Sequence, residues 1–270
     1  MKLLHIGDVV GAAGSRFLQE HLPAIKRTHK IDMIVVNGEN SAQGNGITKH
    51  SMEQIFSAGA DVITTGNHCF KRREAMAIYE NPVVLRPANY PEGCPGHGVC
   101  TIDFGPCQVA VLNLSGTAYL DPLDNPFTIA EQLLEEIDTP NILVDFHAEA
   151  TAEKKAMGYF LAGRVTAVVG THTHVQTADE TILSEHTGYI TDVGMTGPEE
   201  SILGVAVQPR WEMRKNVTEP FAVQPAMDRF RFHYPTRFTE GSDPCFLNGV
   251  IVTFDEKCGK CTKIERLIVR

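Results

Sequence analysis

The sequence predicts a mixed α/β fold in which helices pack outside one or two sheets. Short apolar runs closed by Gly, Asn or His alternate with stretches of helical apolar spacing, the pattern of buried strands joined by helices. Two further pairs of runs face each other across turn residues and read as antiparallel hairpins. A chain of 270 residues that is 43% hydrophobic and 21% charged can bury a sizeable core, which excludes disordered and fibrous classes. No repeat, low-complexity tract or long Gly/Ser linker marks a boundary, so residues 1–270 read as a single domain.

In chain order, residues 3–6 form the first strand, ending at Gly7-Asp8, and residues 15–26 the first helix with Ser15 at its N-cap. Residues 33–36 lead as a strand into Gly38-Glu39-Asn40, and residues 49–58 carry helical spacing. The strand at 62–65 precedes Gly66-Asn67-His68. Residues 99–104 and 109–114 pair across Gly105-Pro106 as a hairpin, and 128–137 is helical. Strands at 142–146 and 165–169 lead to His147 and to Gly170-Thr171-His172-Thr173-His174, with a helix over 151–161 capped by Thr151 between them. Residues 196–239, with five prolines, read as long connections plus a short helix; their Trp211, Phe221 and Phe230 read as core or contact surface, with core favoured for most. The last hairpin pairs 248–254 with 262–269 across the KCGKC turn.

The charge balance narrows the function classes. Against 33 Asp+Glu stand 24 Lys+Arg, a net charge of −9 that disfavours non-specific binding to nucleic acid or to an anionic membrane. No signal-like stretch opens the sequence and no run of about 18 apolar residues follows, so a cytoplasmic protein is expected. Seven cysteines, an odd number, point to reduced thiols, and Cys258 and Cys261 read as turn residues rather than a metal or redox pair. A homo-oligomer is compatible with the sequence.

The chemistry lies in where polar residues fall. Asp8, Glu39, Asn40, Asn67, His68, His147, His172 and His174 each stand at or just after the C-terminal end of a predicted strand, the edge at which ligands bind α/β sheets. In an extended segment the spacing of His172 and His174 aims both imidazoles the same way. Setting His68 aside leaves three imidazoles, two carboxylates and two amide oxygens, a set suited to Mn, Fe or Zn and poorly suited to calcium or thiolate zinc. Seven side chains are too many for one metal with an open position and enough for two that share a carboxylate. Two divalent ions less two carboxylate charges leave about +2, which calls for an anionic substrate and a water of lowered pKa as nucleophile.

Together, IGDVVG around Asp8, VVNGENSAQGNGI around Glu39 and Asn40, TGNH at Asn67-His68, VDFHAEATAEK around His147 and VGTHTHVQTAD around His172 and His174 resemble the YmdB-type branch of the calcineurin-like metallophosphoesterases. RPANYP at 86–91 and ITDVGMTGP at 190–198 extend the resemblance over nearly the whole chain. It implies a four-layer αββα sandwich of the metallo-dependent phosphatase type and a dinuclear site, with iron or manganese expected and zinc an alternative. It also implies phosphodiesterase activity toward 2',3'-cyclic nucleotides. The implied first metal takes Asp8, Glu39, Asn40 and His174; the second takes Glu39, Asn67, His147 and His172, with Glu39 bridging and His68 as proton donor to the leaving oxygen. Val10 stands where the wider superfamily has a histidine ligand, a loss that Asn40 makes good. Arg86, Asp179 and Asp145 are assigned supporting roles. A phosphomonoesterase on the same site, and a regulatory protein acting through RNA or protein partners, are the competing readings. Loops at 113–125 and 196–239 are expected to shape the substrate pocket.

Overall fold

The structure, a computed structural model, describes residues 1–207, 225–233 and 235–270. One sheet runs in the order β2 (Asp8–Val9), β11 (Met195–Pro198), β14 (Cys245–Phe254), β1 (Lys2–Ile6), β3 (Met33–Asn37), β4 (Val62–Thr64), with β15 (Cys261–Val269) also paired to β14. The other runs β5 (Val99–Asp103), β6 (Gln108–Ser115), β7 (Ile142–His147), β8 (Ala167–Thr171), β10 (Thr187–Ile190), β9 (Thr181–Leu183). A two-stranded ribbon, β12 (Ser201–Ile202) with β13 (Val205–Ala206), stands apart. The helices are α1 (Gly11–His29), α2 (Lys49–Ala58), α3 (Pro126–Glu136), α4 (Thr151–Leu161) and α5 (Pro225–Phe232), with a short 3-10 helix at Arg73–Glu80.

The period of two along each strand builds the layers. On β1 and β3, Leu4, Ile6, Ile34 and Val36 face Leu18 and Leu22 of α1 and Ile55 of α2. Their alternates Leu3, Met33 and Val35 face Val109, Val111, Leu143 and Val169 of the second sheet. On the far side of that sheet, Leu112, Val144, Phe146 and Val168 meet Ala130 of α3 and Met157 and Leu161 of α4. Helix, sheet, sheet and helix therefore enclose three cores, the four-layer arrangement the resemblance implied. Strands buried on both faces explain the near-continuous apolar runs in the sequence. β1, β3 and β4 are mutually parallel, as are β6, β7, β8 and β10, so their C-terminal ends collect along one edge.

Several expectations are corrected. Ser15 is not an N-cap: α1 begins at Gly11, whose φ of +63° admits the sharp entry, and the Ser15 hydroxyl donates to the Gly11 carbonyl at 3.1 Å. Thr151 is the first residue of α4 rather than its cap, which is Ala150 and makes no side-chain bond. The strand expected at 165–169 is β8, two residues later, because Val165 and Thr166 still belong to the turn that pairs with β10. Between 196 and 239 the short helix is α5, and Phe230 on it is 72% exposed instead of buried. Trp211 and Phe221 lie outside the described residues. Both predicted hairpins form, β5 with β6 and β14 with β15, and all seven cysteines are free, with Cys258 exposed in its turn and Cys261 buried. No helix among the described residues is long and apolar enough to cross a membrane.

Candidate metal centre

The parallel strands deliver the predicted site residues to one edge. β1 leads into Asp8, β3 into Glu39 and Asn40, β4 into Asn67 and His68, and β8 into His172 and His174, while β7 ends on His147. Asp8, Glu39 and His147 are inaccessible to solvent, and Asn40 is buried. With Glu39 and Asn40, the partly exposed His68, His172 and His174 line a cavity of about 760 Å³.

Within this group, polar atoms converge on two foci. At one, Nε2 of His147 lies 3.0 Å from Asn67 Oδ1, 3.1 Å from His172 Nδ1 and 3.2 Å from Glu39 Oε1. Ligand atoms of Glu39, His147 and His172 all lie within 4.8 Å of one another. At the other, Asn40 Nδ2 lies 3.0 Å from Glu39 Oε1, 3.2 Å from His174 Nε2 and 3.4 Å from Asp8 Oδ1. Glu39 Oε1 is common to both. Carboxylate and amide oxygens only accept, so a shell built this way needs protons or cations at its centres. The mixed nitrogen and oxygen donors fit borderline divalent metals.

At the first focus a protonated His147 supplies the proton, and at the second the Asn40 amide donates to Glu39 and Asp8. Burial opposes ionisation of Glu39, but the charge and hydrogen bond of His147, then those of His68, hold its carboxyl well below the ordinary value. Burial likewise opposes ionisation of Asp8, and the hydrogen bond and charge of His174 outweigh it and lower its pKa. Burial works against a charged His147, yet Glu39 pushes it up to about 9. His172 is shifted downward, first by burial and then by the neighbouring His147 charge. A metal entering this site competes with protons, so its affinity should rise with pH.

Two local geometries depart from the sequence reading. His172 and His174 are not extended: β8 stops at Thr171, and the two residues adopt φ of +101° and +64°. The unfavoured backbone sends the imidazoles to different foci, and it is held by the His172 N–H donating to Asp8 Oδ2 at 3.1 Å and the Thr173 N–H to Asp192 Oδ2 at 3.1 Å. Asn40 presents its Nδ2 to the carboxylates and its Oδ1 to His68 Nδ1 at 2.9 Å, whereas a ligand would use the oxygen. An end-for-end turn of the amide exchanges these roles. His68 also donates its backbone N–H to Glu39 Oε2 at 3.0 Å, which pins the TGNH turn to the shared carboxylate.

The YmdB-like protein family model matches residues 4–267. A Bacillus subtilis (strain 168) protein named 2',3'-cyclic-nucleotide 2'-phosphodiesterase is 43% identical, with 100% of this chain and 97% of that one covered. The chain belongs to the YmdB-like family. Among solved structures, a hypothetical protein from Thermus thermophilus superposes with a TM-score of 0.89 at 36% identity, covering 100% of this chain and 99% of that one. A Mycoplasma pneumoniae protein described as a novel phosphatase gives 0.88 at 31%, covering 100% and 93%. A Haemophilus influenzae NAD nucleotidase, 13% identical with a TM-score of 0.55, shares the fold; this chain covers 55% of it. Membership places the chain in a phosphoesterase family and accounts for the motif order along the sequence.

Sequence reasoning found part of the cavity wall and missed part. The cavity is walled by Gln43 to Asn45, Leu203 to Val205 and Phe238 to Glu240, so the expected 196–239 segment does line it, whereas the 113–125 loop does not: Asn113 is buried in β6, where its Oδ1 accepts from the Thr65 N–H. Glu149, half exposed, sets Oε2 2.9 Å from His172 Nε2. Leu203, at the tip of the β12–β13 ribbon, places its carbonyl 3.3 Å from His174 Nδ1. Glu149 and Gln43 to Asn45 lie inside quoted motifs without an assigned role, and the contact from Leu203 has no signal in the sequence because irregular backbone positions it. Lys154 and Asp192 did carry a signal, each lying inside a long matched motif.

Proposed function

We propose that this chain is a dinuclear metal-dependent phosphodiesterase that opens 2',3'-cyclic nucleotides to nucleoside monophosphates. The observation that carries the reading is the pair of acceptor-lined foci sharing Glu39 Oε1 at the floor of the cavity. The 43% identity to a 2',3'-cyclic-nucleotide 2'-phosphodiesterase over the full chain supports the choice of substrate class.

Asp8, Glu39, Asn40 and His174 would hold one metal, and Glu39, Asn67, His147 and His172 the other, with iron or manganese the expected ions. When bound, the metals supply Lewis acidity, lowering the pKa of a coordinated water and neutralising phosphoryl oxygens. Every remaining task falls to the protein. His68, partly exposed on the cavity and tied to Glu39 and Asn40, is placed to donate a proton to the leaving sugar oxygen. A sugar alkoxide leaves poorly unless protonated, and an imidazole within reach can act as the general acid. Asp8 and Glu39, buried and held ionised, fix the charge that metals must neutralise. Glu149 and Glu240 on the cavity wall disfavour a doubly charged monoester relative to a singly charged diester, which argues for a diesterase over a phosphomonoesterase.

The test is metal content per chain together with hydrolysis of a 2',3'-cyclic nucleotide and of its monoester product on the same sample, before and after chelation. Two equivalents of Fe, Mn or Zn, with diester turnover lost on chelation and restored by metal, are expected. Metal bound without diester turnover would overturn the activity, and faster turnover of the monoester would favour the phosphomonoesterase. Absence of metal after supply of Mn and Fe would overturn the site.

A further inference from the structure

Behind the metal centre, and outside the cavity, one carboxylate ties the two sheets together. Asp145 on β7 is inaccessible to solvent and projects from the face that packs against the first sheet. Its Oδ2 accepts from three side chains of that sheet: Thr64 Oγ1 at 2.5 Å, Asn37 Nδ2 at 3.2 Å and His5 Nε2 at 3.2 Å. Its Oδ1 accepts from the Thr171 hydroxyl on the neighbouring strand at 2.7 Å. All five residues are 0% exposed. They continue the inter-sheet rows of Leu3, Val35, Leu143 and Val169, so a polar layer replaces the apolar one just below the site.

The hydroxyl of Thr171 is saturated in a way that fixes proton positions. It has one proton and two lone pairs. The proton goes to Asp145, which as a carboxylate can only accept. Asn37 Nδ2, at 3.3 Å, donates to one lone pair. His147 Nδ1 lies 2.9 Å from the same oxygen and must therefore donate to the other. The imidazole is left with its Nε2 facing Asn67 Oδ1, Glu39 Oε1 and His172 Nδ1.

We propose that Asp145 and Thr171 are positioning residues for the metal centre: the chain Asp145, Thr171, His147 locks His147 as the Nδ1–H tautomer and presents Nε2 as a metal-ligating lone pair. The inference rests on the metal-centre reading above, and it adds a role for two buried residues that touch neither cavity nor substrate. The fixed carboxylate also makes the His147 nitrogen a stronger donor, since hydrogen-bonded partners of a ligand raise its basicity. Removal of such a partner weakens metal binding by about 10- to 100-fold.

The experiment compares wild type with Thr171→Val, which keeps shape and loses the hydroxyl, and with Thr171→Ser, which restores it. Mn²⁺ dissociation constants are measured on metal-stripped, full-length protein by competition with a chelator, alongside circular dichroism and thermal unfolding. Expected are two Mn²⁺ sites in wild type, one of them weakened 10-fold or more in Thr171→Val, and recovery to within about threefold in Thr171→Ser. Unchanged constants in Thr171→Val, or equal losses in both variants, would overturn the positioning role. A wild type without any Mn²⁺ site would overturn the metal centre itself, a distinguishable failure. Should Thr171→Val not fold, the ring nitrogens of His147 in zinc-loaded, ¹⁵N-labelled wild type decide the matter. A proton on Nδ1 with zinc on Nε2 supports the assignment, and zinc on Nδ1 refutes it.

Discussion

Substitution of Lys154 by Met should be among the most damaging changes to this fold that leaves every proposed ligand in place. Lys154 is 0% exposed on α4, and its Nζ lies 2.6 Å from Asp192 Oδ2, itself 1% exposed at the side chain. Asp192 also accepts from the backbone N–H groups of Thr173 at 3.1 Å and Gly194 at 2.9 Å. Met fills the space of the lysine stem but leaves the carboxylate buried without its counter-charge. Breaking one side of such a pair costs about 3–5 kcal/mol. The two backbone donors that remain place the expected loss near the lower end, about 3 kcal/mol, or a drop of about 6–12 °C in Tm for a chain of this size. The assay is urea unfolding of metal-free protein by circular dichroism, run as a cycle with Asp192→Asn and the double variant. Neutralising both partners removes the unpaired charge but, because Thr173 and Gly194 bond different oxygens of Asp192, keeps an acceptor for only one of them, so the double variant should recover part of the loss. A loss below about 1 kcal/mol in Lys154→Met, or a double variant no better than the single, would refute the reasoning. Because Thr173 stands between His172 and His174, the same variant should also weaken metal binding.

His68→Ala should keep its full metal content while 2',3'-cyclic nucleotide turnover falls by about 10²–10⁴-fold; a matching loss of metal would show that His68 acts through the centre instead of as a proton donor. Gly66→Ala would set a Cβ 2.1 Å from Cδ2 of His147, so the ring must move, and metal analysis should find at least one equivalent fewer per chain. For Asp179, burial works against ionisation, but hydrogen bonds from Thr191 and Thr177 and the nearby Lys155 lower its pKa from 3.8 to about 2. The stability this contributes is complete above pH 3.8 and is lost as pH falls toward 2, about 1 kcal/mol after allowance for the partly exposed side chain. Urea midpoints of wild type and Asp179→Asn should therefore converge across that window, and parallel curves would exclude the effect.

What the sequence revealed and what it concealed divide along physical lines. The strands and the ends of β1, β3, β4 and β7 were legible because each side chain's direction follows from a period of two, and a short apolar run that stops at a polar residue is the pattern of a buried strand reaching the sheet edge. That Glu39, His147 and Asn67 meet at one edge was legible for that reason. His172 and His174 were found on a mistaken geometry: the alternation rule aimed both imidazoles one way, whereas positive φ at both residues sends them to separate foci. No local propensity predicts that backbone, since Asp8 and Asp192, distant in sequence, hold it. The cavity wall was legible only as a segment: 196–239 was expected to shape the pocket, but which of its residues do so, the β12–β13 ribbon and Phe238 with Thr239, depends on packing rather than on repeat pattern.

The same alternation explains why the supporting layer is polar. Asp145, Thr171, Asn37 and His5 occupy the inter-sheet parity of their strands, where Leu3, Met33, Leu143 and Val169 form the apolar core. A carboxylate at such a position costs free energy unless donors surround it, and here four side chains from both sheets donate to it. The network can form only when the two sheets sit in the register that also brings Asp8, Glu39 and Asn67 to His147, His172 and His174. Folding and the assembly of the proposed centre are thereby coupled: the interaction that satisfies a buried charge is the one that aligns the two halves of the proposed donor set.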